Sequence, residues 1–217
     1  MGRVTAAKIA VFIAALIPLG KLAYDAFYGA GLGAEPIREI QLRTGWWALT
    51  FLCVTLAITP VRRFTHWNVL VKFRRMLGLF AFFYAVLHLS NYIGVDQFFA
   101  WKLIGEDILE RPWITIGMTA FILMIPLALT STQGMVRRLG GKRWAALHRL
   151  VYISAACAVF HFLWLVKKDT TEPATFGIII AALLALRLRF GGVPRARAAP
   201  APGPVAPPAS EPSTHSA

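Results

Sequence analysis

The sequence predicts an all-α, polytopic membrane protein built as a bundle of six transmembrane helices. Hydrophobic residues make up 57% of its 217 positions and the mean hydropathy is +0.60, too apolar for a soluble domain of ordinary composition. Six apolar runs approach the length of about 17–25 residues that crosses a hydrocarbon core as helix. Lys and Arg, in net excess by 13 charges, gather in alternate connections between those runs.

The first run, residues 8–28, follows the basic start MGRVTAAK in the manner of a secretory signal. Its apolar stretch continues through Leu22, Ala23 and Phe27 with no small-residue cleavage site, so it is expected to stay as the first helix. The second, 45–60, is short and closes on Pro60; the third covers 77–95. The fourth, 113–130, opens behind Pro112, a residue suited to a first helical turn, and carries Pro126. The fifth and sixth cover 146–166 and 174–190. Pro18, Pro60 and Pro126 each free a backbone carbonyl that a neighbouring helix must satisfy inside lipid. From Val193 the chain reads PRARAAPAPGPVAPPASEPSTHSA, rich in Pro and Ala without periodicity. Residues 1–192 are therefore expected to form the six-helix domain and 193–217 a disordered tail, in which His215 plays no chemical part.

The placement of charge decides what the basic balance means. Arg62, Arg63, Lys72, Arg74 and Arg75 fill the link after the second run, and Arg137, Arg138, Lys142 and Arg143 the link after the fourth. The other links are balanced or acidic, with Glu35, Arg38, Glu39 and Arg43, then Asp96, Lys102, Glu106, Asp107, Glu110 and Arg111, then Lys167, Lys168, Asp169 and Glu172. This is the positive-inside pattern of a bacterial inner-membrane protein in contact with lipid, with both termini cytoplasmic. A nucleic-acid binder would carry its basic residues on one continuous face among aromatics, so that class is excluded. Tyr92, Trp101 and Trp164 are expected in the outer aromatic belt, and Phe80, Phe82, Phe83 and Tyr84 in lipid contact or core packing. The stretch GEDILERPWITIG serves equally as a helix entry or as a docking site, while RRLGGKR sets topology or touches a flavin or quinone headgroup.

Cys53 and Cys157 both fall within predicted spans, where they serve as small apolar fillers. Cys157 also stands one helical turn before His161, on the same face. Of the five histidines, His66 lies in a basic link, which leaves His88, His148 and His161 in or beside the spans. Any one of them alone could simply hydrogen-bond a neighbouring helix. Three ionisable groups on two helices point instead to function, because burying them costs free energy.

Depth supplies a geometric test. His88 is eight residues before Asp96 and His161 six before Lys167, or ~12 and ~9 Å from the outer charges, so both lie within a turn of the same level. Two neutral imidazoles facing one another suit the axial positions of a haem iron of b type, which needs no Cys-x-x-Cys-His attachment motif. A small metal-ion site would recruit carboxylate or thiolate ligands as well, and the spans offer only Asp25 and the two cysteines. His148 lies thirteen residues before His161, ~20 Å nearer the cytoplasmic edge, a spacing suited to a second haem. On an ideal helix the two side chains leave a common face, and Arg74 and Arg75 occupy the matching depth on the third span. His148 thus serves a second haem with another ligand, a haem propionate, a quinone or a flavin.

Three segments, FRRMLGLFAFFYAVLHLSNY, IGEDILERPWITIG and LTSTQGMVRRLGGKRWAALHRLVYISAACAVFHFLWLVKKD, are similar to the haem-binding membrane subunits of the MsrQ or YedZ family, over roughly residues 5 to 190. The resemblance implies a six-helix, cytochrome b-like, ferric-reductase-like transmembrane domain with one or two b haems on His88, His148 and His161. It implies electron transfer from the quinone pool, or from reduced flavin supplied by a cytosolic flavin reductase, to a periplasmic molybdopterin-containing methionine sulfoxide reductase that repairs oxidised proteins. It also implies FMN, which no motif here places. The chain is expected to act as an electron conduit without a substrate-converting site of its own. A ferric or cupric reductase of the same fold, and a histidine-dependent metal-ion transporter, are the other readings of the same residues.

Overall fold

A computed structural model describes residues 2–28, 31–166 and 169–189, all helices and connections with no strand among them. The tail expected at 193–217 lies outside the described residues. Helix α1 spans Arg3–Tyr28 and α2 spans Pro36–Thr65. A short 3-10 turn, Asn68–Leu70, leads into α3, Val71–Ser90, which continues through a π turn at Asn91–Asp96. Then come α4, Trp101–Glu110, and α5, Pro112–Leu129. The short helices α6, Gln133–Leu139, and α7, Gly141–Leu147, precede α8, Leu150–Leu165, and α9, Thr171–Arg189. Among the described residues five helices are long and apolar enough to cross a membrane: α1, α2, α3 with its π turn, α5, and α7 with α8. α9 is the sixth long helix of the expected bundle.

The boundaries differ from expectation in instructive places. The second span was expected at 45–60, yet α2 begins at Pro36 and takes in Glu39 and Arg43. Those charges sit on a helix because they are neutralised: Arg43 pairs with Glu39 at 2.7 Å and with the buried Asp25 of α1 at 2.6 Å, and Lys21 meets Asp25 at 2.9 Å. The link 97–111 contains a helix, α4, placed by Asp107: its carboxylate accepts from Tyr92 Oη at 3.0 Å and pairs with Arg111 at 3.2 Å. Tyr92 thus ties the π turn to α4, and Trp101 and Trp164 are exposed. The fifth span is interrupted at His148–Arg149, where bonds of three-residue spacing from Arg149 N to Ala146 O and Tyr152 N to Arg149 O tighten the chain between α7 and α8.

Helices α2 and α3 pack closely, as do α5 and α8, and the two pairs meet through α3 with α5 and α2 with α8. α1 lies outside α2 and α3, and α9 packs on α2 and α8. The core between α2 and α3 is aromatic: Phe51 stacks on Phe80 and Tyr84 at 5.6 and 5.4 Å. Tyr84, 1% exposed, donates to Ala15 O at 2.8 Å and ties α1 on. At the start of α9, the Thr171 hydroxyl, and then its N–H at 3.0 Å, donate to the Asp169 carboxylate and hold it below the usual carboxylate range.

Candidate functional site

The two helix pairs enclose a cavity of about 290 Å³, and both mid-span histidines open onto it, His88 from α3 and His161 from α8. It runs beside α2 from Gln41 to Leu52, eleven residues or about 16 Å. Leu49, Leu52, Phe121 and Met124 make its inner part apolar, while Asp96 and Arg111 stand at its acidic end. The sequence made these histidines level, and the fold brings them together: the ring centres are 6.1 Å apart with their planes at 85°.

Each imidazole is fixed from behind by a backbone carbonyl of a neighbouring helix. His88 Nδ1 donates to Gln41 O at 2.9 Å, and His161 Nδ1 donates to Trp113 O at 2.7 Å. A carbonyl only accepts, so Nδ1 carries the proton and Nε2 keeps its lone pair in both rings. The Gln41 side-chain amide lies 3.2 Å from His88 Nε2, and Asn91 Nδ2 donates to Gln41 Oε1 at 2.7 Å, which turns the amide NH2 toward the ring.

This donor set fits a haem. A first-row transition metal holds an imidazole nitrogen at about 2 Å, and His88 and His161 would hold the iron through Nε2. No group of three or more His, Cys, Asp or Glu side chains converges among the described residues, as a site for a bare metal ion would require. An apolar cavity onto which two imidazoles open suits a macrocyclic metal group, which His88 and His161 would hold.

His148 stands apart from this cavity, at the junction of α7 and α8. Its ring stacks on Trp144 at 3.8 Å and its Nδ1 bonds Trp144 O at 3.1 Å. Its Nε2 is buried and has no partner among the described residues. Cys53 is buried and Cys157 half-buried, both thiols are free, and neither lines the cavity. Sequence reasoning did not find Gln41, Asn91 or Trp113, because each bonds a residue far along the chain.

Comparison with known proteins shows the family of the chain. The family described as the ferric reductase like transmembrane component matches residues 44–159. The protein-methionine-sulfoxide reductase heme-binding subunit MsrQ of Herminiimonas arsenicoxydans is 52% identical over 188 residues, 86% of each chain. That of Rhodospirillum rubrum is 54% identical over 182 residues, 83% of this chain and 86% of the relative. That of Xanthomonas campestris pv. campestris is 50% identical over 190 residues, 85% and 87%.

Proposed function

The chain belongs to the MsrQ family, and on that premise we propose that it is a b-type haem membrane subunit that delivers electrons to a methionine sulfoxide reductase partner. The observation that carries this reading is the pair of imidazoles that meet in an apolar cavity, 6.1 Å between centres. Haem, when bound, supplies reversible one-electron chemistry. His88 and His161 would hold it. The carbonyls of Gln41 and Trp113 fix the proton on Nδ1 and so present the basic nitrogen of each ring to the cavity. Leu49, Leu52, Phe121 and Met124 exclude water. That lowers the local dielectric and makes the few charges nearby count for more.

His148, at the junction of α7 and α8, would be the holder of a second haem nearer the basic end. The segregation of Lys and Arg supports an inner-membrane orientation with that end in the cytoplasm. Electrons enter from membrane quinol, or from reduced FMN with a cytosolic flavin reductase. They leave at the acidic end to a periplasmic molybdopterin-containing subunit that repairs oxidised methionine.

A dithionite-reduced minus oxidised spectrum, with haem quantified per chain, tests the reading. His88→Ala and His161→Ala should each abolish the sharp low-spin b-type bands, and His148→Ala should lower the haem stoichiometry while sparing the His88–His161 site. A wild-type protein that stays colourless after expression with ample haem, or unchanged haem in His88→Ala, would overturn it.

A further inference from the structure

Each axial histidine is held in the same way, and each depends on a glycine. His88 Nδ1 donates to the carbonyl of Gln41, and Gly45 stands four residues later on α2. His161 Nδ1 donates to the carbonyl of Trp113, and Gly117 stands four residues later on α5. In an α-helix the N–H of residue i+4 takes one lone pair of carbonyl i, and the second remains for an outside donor. The Cα–Cβ bond tilts toward the helix N-terminus, so the Cβ of residue i+4 lies over the turn that carries carbonyl i. Any side chain there stands where the imidazole must lie.

The distances show how little room there is. A Cβ on Gly45 would lie 2.9 Å from His88 Nδ1 and 3.0 Å from its Cε1. A Cβ on Gly117 would lie 2.7 Å from His161 Nδ1, 2.9 Å from Cε1 and 3.0 Å from Cγ. Both are far inside the roughly 3.5–4.0 Å of a relaxed heavy-atom contact. Other helical glycines are unlike them: a Cβ on Gly78 would meet the Thr55 methyl at 3.5 Å, and one on Gly20 would meet nothing within 4 Å.

We propose that Gly45 and Gly117 are positioning residues for the two axial histidines: each bares the helix surface over a backbone carbonyl, so that the imidazole seats its Nδ1–H there and turns Nε2 into the cavity. The proposal rests on the haem reading above and adds what gives each ligand its orientation. The two seats sit on α2 and α5, opposite walls of the same cavity, and impose the same tautomer on both rings. The spacing is a carbonyl-bearing residue followed four positions later by glycine, QLRTG in α2 and WITIG in α5.

The test compares Gly45→Ala and Gly117→Ala with Gly78→Ala and Gly20→Ala as controls, in the full chain purified with haem in detergent. Alanine is the better helix former, so haem loss in the site variants would not come from helix propensity. Orienting partners of metal-bound histidines are worth about 10–100-fold in affinity, and a loss of that size is expected for each site variant. The haem that remains should bind carbon monoxide and shift its midpoint potential, because a displaced imidazole leaves an axial position open. The controls should match wild type. Full low-spin haem, inert to carbon monoxide and with wild-type potential, in both site variants would overturn the proposal while leaving the haem reading intact. Unchanged haem in His88→Ala and His161→Ala would overturn the haem reading itself. A measurement on haem-free wild-type protein is independent of how any variant folds: ¹⁵N-histidine NMR should show Nδ1 protonated and hydrogen-bonded at both rings. An Nε2–H tautomer at either ring would remove the seat on which the proposal stands.

Discussion

Gln41 serves His88 twice, with opposite consequences. Its carbonyl orients the ring through Nδ1 at 2.9 Å, while its side-chain amide, held by Asn91, lies 3.2 Å from the Nε2 that would meet iron. Ligation requires the amide to swing away and the carbonyl to stay. Gln41→Ala keeps the carbonyl and removes the amide, so it should retain wild-type haem content and take up haem faster in a stopped-flow titration of the haem-free protein; haem content reduced by half or more would show that the side chain holds the ligand. The level of the two histidines was legible in the sequence because helical rise is fixed and Asp96 and Lys167 mark one end of both spans. The seats were not, since each joins residues 47 or 48 positions apart. On an ideal helix His148 and His161 leave a common face, and the tightened turn at His148–Arg149 interrupts that regular 100° progression.

At the scale of the element, the prolines explain which helices must touch. Pro60 has no N–H, so the carbonyl of Leu56, four residues earlier in α2, loses its partner within the helix. Arg187 of α9, 9% exposed, supplies the donors: Nη2 to Leu56 O at 2.8 Å and Nε to the same oxygen at 3.2 Å. It also donates to Thr59 Oγ1 at 3.1 Å and Tyr152 Oη at 3.2 Å, so one side chain joins α2, α8 and α9. Charge-assisted bonds of this kind are worth about 1.5–3 kcal/mol when one partner is removed, and Arg187→Met should destabilise the bundle by that order in a denaturant titration in detergent. Pro60→Ala restores the helical bond to Leu56 O. In that background Arg187→Met should cost about 1 kcal/mol less, the coupling expected of directly bonded residues; strictly additive effects would mean that the guanidinium is held by other partners. The need for a donor near Pro60 was legible in the sequence, but its source on α9 was not, because Arg187 reads as an ordinary flanking cation. Helix α4 was hidden for a related reason, since its charges resemble a solvated link until Asp107 is seen gathering Tyr92 and Arg111.

Across the whole molecule, charge is sorted along the helix axes. The basic links contain no Asp or Glu, whereas the opposite end keeps its carboxylates and pairs several of them with cations, as Asp25 with Lys21 and Arg43. A cationic end is stabilised by an anionic lipid surface, at about 1 kcal/mol per Lys or Arg near the headgroups, and the cytoplasmic leaflet offers that surface. This balance, more than any single helix, fixes the direction in which the histidines are stacked: the His88–His161 cavity opens near the acidic end and His148 lies near the basic one. On the proposed electron route, orientation decides which site receives electrons first. Cysteines introduced at Lys102 in α4 and Lys142 in α7 read it directly, against native Cys53 and Cys157, which lie within α2 and α8. A membrane-impermeant maleimide added to spheroplasts should label Lys102→Cys at once and Lys142→Cys only after the membrane is permeabilised. The reverse order would put His148 on the outer side and make the basic end the exit for electrons. The His88–His161 geometry would be untouched by that outcome, since it depends on helix packing, but the assignment of donor to one face and acceptor to the other would have to be exchanged.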